Sequence, residues 1–144
     1  MRFLGVLTAL ALLAGPVLAE SQAPAYQNLL TPLLSGGTDV LGKPLVYPTG
    51  TPNVTSAIVT IPPGGQTGLH NHEVPLFAYI LEGELTVDYG EKGKKTYRAG
   101  EAVMEAVGWD HNGTNTGLVP MKLVAVYMGS DKAANTVVIA PPAN

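Results

Sequence analysis

Glycine and proline decide most of what this chain can fold into. Seventeen glycines and twelve prolines in 144 residues cut it into apolar runs too short for long helices, because glycine weakens a helix interior and proline breaks it. The runs fall at residues 45–47, 55–61, 76–81, 85–89, 102–104, 122–128 and 136–140. Turn-forming clusters at 62–65, 82–84, 90–93, 99–100 and 112–117 separate them. Many short strands at even spacing with Gly/Pro turns predict an all-β sandwich or barrel. The barrel domain is expected over residues 45–144, with no internal repeat. Residues 20–44 form a polar lead-in, whose Leu29, Leu30, Leu33 and Leu34 make either one helical turn or an edge strand over the barrel. Lys92, Lys94 and Lys95 beside Glu91 are expected at a solvated hairpin tip, and Glu82 and Glu84 at the ends of another turn.

Residues 1–19 read as a secretory signal peptide. Met1-Arg2-Phe3 is a basic start, residues 4–18 are apolar and uncharged, and Ala19 ends a small-residue cleavage site, with a second cut available after Ala23. The apolar stretch falls short of the roughly 20 residues of a spanning helix. Cleavage after Ala19 leaves 125 residues with seven basic and eleven acidic side chains, a net charge of −4. That balance lacks the basic face needed for nucleic acid or an anionic membrane. There is no cysteine, so an exported chain of this kind must be held by its core and its strand ladders without disulfides. A periplasmic or secreted location is expected.

Only three histidines are present. His70 and His72 stand two apart, which in a strand turns both imidazoles to one face. His111 follows Gly108-Trp109-Asp110 and precedes Asn112-Gly113. Two imidazoles on one face can present their nitrogens to a single metal ion, and the one other histidine stands in a second glycine-bounded strand and turn.

Residues 64–83 resemble the first motif of the cupin superfamily: glycine, five residues, His-x-His, and a downstream glycine closing Tyr79-Ile80-Leu81-Glu82-Gly83. Residues 100–115 resemble the second, with Gly100, Ala106 where the family usually has proline, Gly108, His111 and Asn115. Sixteen residues separate the two. The resemblance covers residues 45–128 and implies a small jelly-roll barrel with a metal at one end of its pocket. It further implies His70, His72 and His111 as ligands of one divalent transition metal (iron, zinc, copper, nickel or manganese), a small-molecule ligand, and pairing into homodimers. One departure stands out: the first motif's usual glutamate ligand is replaced by Leu76. Either a three-histidine site persists, or metal binding is lost and the barrel is a ligand-binding shell. With residue 76 inward, Ala78 and Ile80 also face inward, and Phe77 and Tyr79 face out. Glu105 is either an exposed strand-end carboxylate or a group that swings to the metal as proton shuttle or substitute ligand. Glu73 alternates away from His72. Trp109 lines the pocket or covers a dimer contact, and Met104, Tyr127 and Met128 belong to the core or an interface. Two functions follow: a small metalloenzyme of dioxygenase or isomerase type acting on a chelating substrate, or a non-catalytic binding or sensing module.

Overall fold

The computed structural model describes residues 26–140. The segment expected to be a signal peptide lies outside them. The chain divides into two compact units, residues 1–31 and 32–144. In the first, a 3-10 turn spans Tyr26–Leu29, so the leucine cluster begins as a helical turn and forms no edge strand. Leu29, Leu30, Leu33 and Leu34 are all exposed.

The described residues of the second unit form nine antiparallel strands: β1 (Pro52–Ile61), β2 (His70–Asn71), β3 (Leu76–Glu82), β4 (Glu84–Asp88), β5 (Lys94–Arg98), β6 (Ala102–Met104), β7 (Asn112–Thr114), β8 (Met121–Ser130) and β9 (Val137–Val138). They form a four-stranded sheet ordered β1-β8-β3-β6, a three-stranded sheet β5-β4-β7 and a short pair β2-β9. Among the described residues no helix is long and apolar enough to cross a membrane. The all-β jelly-roll expectation holds, and the period-two alternation of β3 falls as expected. Leu76, Ala78 and Ile80 are buried inward, while Phe77 and Tyr79 are half-buried on the other face. Leu85, Val87, Val103, Leu123 and Ala125 meet them from the other strands.

Three segments depart from the sequence reading. Residues 45–47 form no strand, and Val46 and Tyr47 are 74% and 71% exposed. Pro44 and Pro48 bracket them, and proline cannot donate to a ladder. β5 and β7 are strands that the apolar runs do not predict, because their sequences, Lys-Lys-Thr-Tyr-Arg and Asn-Gly-Thr, carry almost no apolar signal. In β5 only Tyr97 is buried. The hairpin tip is a 3-10 turn over Gly90–Lys92. Lys94 and Lys95 instead open β5, where Lys94 pairs with Asp88 at 2.9 Å and Lys95 Nζ donates to the Val40 carbonyl. Glu82 and Glu84 do bracket their turn, paired with Lys122 and Arg98.

Between them Gly83 has φ 77°, and a Cβ there would lie 3.0 Å from Met121 Cα and 3.1 Å from the Pro120 carbonyl oxygen. Backbone cannot yield as a flexible side chain does. Gly83→Ala is therefore expected to cost about 2 kcal/mol of stability, read as a lower urea midpoint at unchanged slope.

A buried carboxylate anchors the approach to the barrel. Asp39 Oδ1 accepts the Leu41 and Lys43 backbone N–H groups, and Oδ2 accepts that of Val107. Lys43 Nζ donates to the Val107 carbonyl. Residues 39–43 thus clamp the turn that precedes His111.

Candidate metal centre

Backbone pairing brings the histidines together. His70 N donates to the His111 carbonyl at 3.0 Å, and His111 N donates to the His70 carbonyl at 2.9 Å. Residues paired in this way carry their side chains on the same face, side by side, and the two ring centroids lie 4.5 Å apart. His72 reaches the same face two residues on, held by a bridge to Val107 and by Gly108 N donating to its carbonyl at 2.7 Å. Its ring lies 5.0 Å from that of His70 and 5.1 Å from that of His111. One ligating nitrogen from each residue lies within 4.8 Å of the others.

The hydrogen bonds fix which nitrogen is free. His70 Nδ1 contacts the Gly68 carbonyl, His72 Nδ1 that of Asn135 and His111 Nδ1 that of Trp109, each at 2.8 Å. A carbonyl oxygen only accepts, so every Nδ1 carries the proton and every Nε2 keeps its lone pair. This is the support that orients metal-ligating imidazoles. Burial lowers the pKa of His72 to about 4 and lowers that of His70. Both rings therefore stay neutral and able to ligate at neutral pH. The donor set fits a divalent transition ion, which imidazole nitrogen suits better than it suits magnesium or calcium.

The three rings open onto a cavity of about 390 Å³ inside the barrel. Leu76 lines it together with Ala78 and Ile80, so the side chain in the place of the usual glutamate does face the histidines' cavity. Glu105 lines it too. It is not an exposed strand-end carboxylate: only 7% of it is accessible. Its backbone N–H is tied to the Leu76 carbonyl, and its Oε1 accepts Tyr89 OH and Ala106 N, both at 2.7 Å. It is also not among the groups that converge on the histidine nitrogens. Among the described residues Oε2 has no hydrogen-bond partner, yet no fully buried side-chain polar atom lacks one. Oε2 is therefore not fully enclosed, and Glu105 is one of the residues that line the cavity.

Tyr89 is the residue the sequence did not single out. It is wholly buried, joins Glu105 to Tyr97 through a 3.3 Å hydroxyl contact, and sits with its ring tilted 43° to that of His111, centroids 5.7 Å apart. Burial, and then the Glu105 carboxylate, hold its hydroxyl proton far above the usual phenol range, and burial pushes Tyr97 up to about 12. The available signal was period-two alternation, since Leu85, Val87 and Tyr89 are all buried along one run.

Trp109 does not line this cavity. Its indole N–H donates to the Tyr89 carbonyl at 3.0 Å, and the ring borders a separate surface hollow beneath Lys92. Glu73 points away, as expected, and accepts Ala134 N. Met104 is buried, and Tyr127 borders the cavity with its ring 5.6 Å from that of His72.

The family model described as "Cupin domain" matches residues 57–127. No curated protein matches the chain. Among solved structures, an oxalate oxidase in complex with the substrate analogue glycolate is similar at TM-score 0.51 and 23% identity, over 60% of this chain and 46% of that one. An oxalate decarboxylase formate complex from Lactobacillus farciminis is similar at TM-score 0.52 and 22% identity, over 60% of this chain and 26% of the other. A conserved protein with a double-stranded beta-helix domain from Klebsiella pneumoniae matches at TM-score 0.52 and 18% identity, over 90% of this chain and 100% of its own. The chain thus spans less than half the length of the oxalate enzymes, and at these identities the likeness is one of fold.

Proposed function

The chain belongs to the cupin superfamily, and on that footing we propose that it is a metal-dependent enzyme acting on a small, oxygen-bearing organic molecule inside its barrel. One observation carries the reading: three imidazoles that line one cavity have their Nδ1 protons committed to backbone carbonyls, which leaves each Nε2 lone pair free, and one ring nitrogen of each lies within 4.8 Å of the others. His70, His72 and His111 would hold one iron, zinc, copper, nickel or manganese ion. Such an ion, when bound, supplies Lewis acidity toward neighbouring substrate oxygens and, as iron or copper, redox chemistry.

The remaining work falls to the chain. Leu76, Ala78, Ile80 and Leu123 keep water from the reacting end. Glu105 takes a proton at Oε2, because Oε1 is already occupied by Tyr89 and the Ala106 N–H. Tyr89 keeps the carboxylate in place for that transfer.

Metal content of the dialysed full chain, followed by product analysis and oxygen uptake with diketones, enediols and catechols, tests the reading. We expect one ion per chain and turnover that falls at least about a hundredfold in Glu105→Gln with metal content unchanged. Tight ligand retention without turnover would make the barrel a binding or sensing module.

Leu76→Glu is expected to raise manganese affinity about tenfold or more relative to zinc, by adding an oxygen donor on the cavity wall. Unchanged affinity across a metal series would mean residue 76 does not reach the ion.

Export and pairing belong to the same proposal. N-terminal sequencing of the secreted chain should begin after Ala19 or Ala23. Light scattering should find a dimer, supported by the outward face of the four-stranded sheet, where Val54 and Ile58 are 66% and 58% exposed.

A further inference from the structure

We infer that the cavity selects a chelating ligand that is uncharged in solution, has an apolar body and carries at most one negative charge when seated, and that it rejects small dicarboxylate dianions such as oxalate. The inference rests on the proposed metal site and extends it to the class of molecule the site takes.

Charge is the first argument. Among the described residues no lysine or arginine lines the cavity, and Glu105 is its one carboxylate. A divalent ion held by three neutral imidazoles brings two positive charges, and the Glu105 carboxylate offsets one. One negative charge on the ligand, formed as its proton leaves to solvent on binding, completes neutrality. A dianion leaves an uncompensated negative charge in a low-dielectric space, facing a carboxylate with no cation to screen it. The other polar groups on the wall, among them the Tyr127 and Thr136 hydroxyls, are uncharged.

Shape is the second argument. The wall is aliphatic over Leu76, Ala78, Ile80, Leu85, Val103 and Leu123. A space of about 390 Å³ lies within the range of cavities that enclose a whole organic ligand. An alkyl or aryl substituent removes that wall from water, which oxalate, having no apolar part, cannot do.

The test uses zinc-loaded protein, because zinc is redox-inert and binding is read without turnover. Calorimetric titration compares benzoylacetone with oxalate, and the ratio of their affinities is referred to the ratio for zinc in water. The protein is expected to shift that ratio at least about a hundredfold toward benzoylacetone. Glu105→Gln removes the repelling charge. Gln66→Lys adds a cation at an exposed position on the cavity rim. Each is expected to move the ratio back toward oxalate by about tenfold, and the rim variant carries the test should the buried one fail to fold. A ratio equal to that of aqueous zinc, or one favouring oxalate further, overturns the inference. Zinc stoichiometry on the same samples separates the two levels. Zinc affinity unchanged in His72→Ala would defeat the metal site itself, whereas one zinc per chain with oxalate preferred defeats only the ligand class.

Discussion

Replacing His72 with alanine is expected to weaken zinc binding by at least about a hundredfold while the barrel stays folded. Structural zinc sites with four protein ligands bind with roughly 10–16 kcal/mol, so one ligand accounts for about 3 kcal/mol, or about two orders of magnitude. His72 is the most informative of the three. It is 3% exposed, its Nδ1 is held by the Asn135 carbonyl, and it sits beyond the end of β2, so its loss breaks no ladder. Competition against a chromophoric chelator gives the affinity, and urea denaturation of the metal-free variant shows whether the fold has survived. Glu73→Ala is the control. It changes the adjacent residue, whose carboxylate accepts Ala134 N outside the site, and zinc affinity should hold within about twofold, as expected for a group that is not a ligand. Equal weakening in both variants would mean that the segment, not the imidazole, matters.

The metal-free chain should lose stability steadily as the pH falls from about 6.5 to about 4. Burial lowers the pKa of His72 from 6.5 to about 4. In that interval the unfolded chain binds a proton that the folded chain refuses, so acid favours unfolding. The contribution is fully present above 6.5, is lost as the pH drops through the window, and levels off below about 4. The difference between 6.5 and about 4 corresponds to about 3 kcal/mol. His70, lowered for the same first reason, adds with the same sign. Urea midpoints at a series of pH values, compared with those of His72→Gln, isolate the effect, because the carboxylates common to both chains cancel. The glutamine variant should give the flatter curve; parallel curves would mean that the His72 ring is already protonated in the folded chain or is not shielded from water.

The sequence disclosed the barrel through its punctuation, and most of the strands through their apolar runs. It disclosed the histidine triad because strand geometry alone aligns positions 70 and 72, and because the motif spacing pairs them with 111. What stayed hidden is instructive. β5 and β7 bury too few side chains to leave an apolar trace, and only tertiary pairing makes them strands. The surroundings of Glu105 are not legible locally, because a carboxylate at a strand end is normally solvated and nothing nearby announces that Tyr89, sixteen residues earlier, covers it. The Nδ1 acceptors, the carbonyls of Gly68, Asn135 and Trp109, are main-chain atoms that no motif records. The anchoring of residues 39–43 by Asp39 was equally silent, since an acidic residue in a Gly-rich segment reads as an ordinary turn.

X-ray absorption spectroscopy of the zinc-loaded full chain asks the central question most directly. Three nitrogen neighbours at about 2.0–2.1 Å with the outer-shell scattering of imidazole rings, reduced to two in His72→Ala, is the predicted result. A first shell of oxygen alone, or one that does not change when His72 is replaced, would contradict the account.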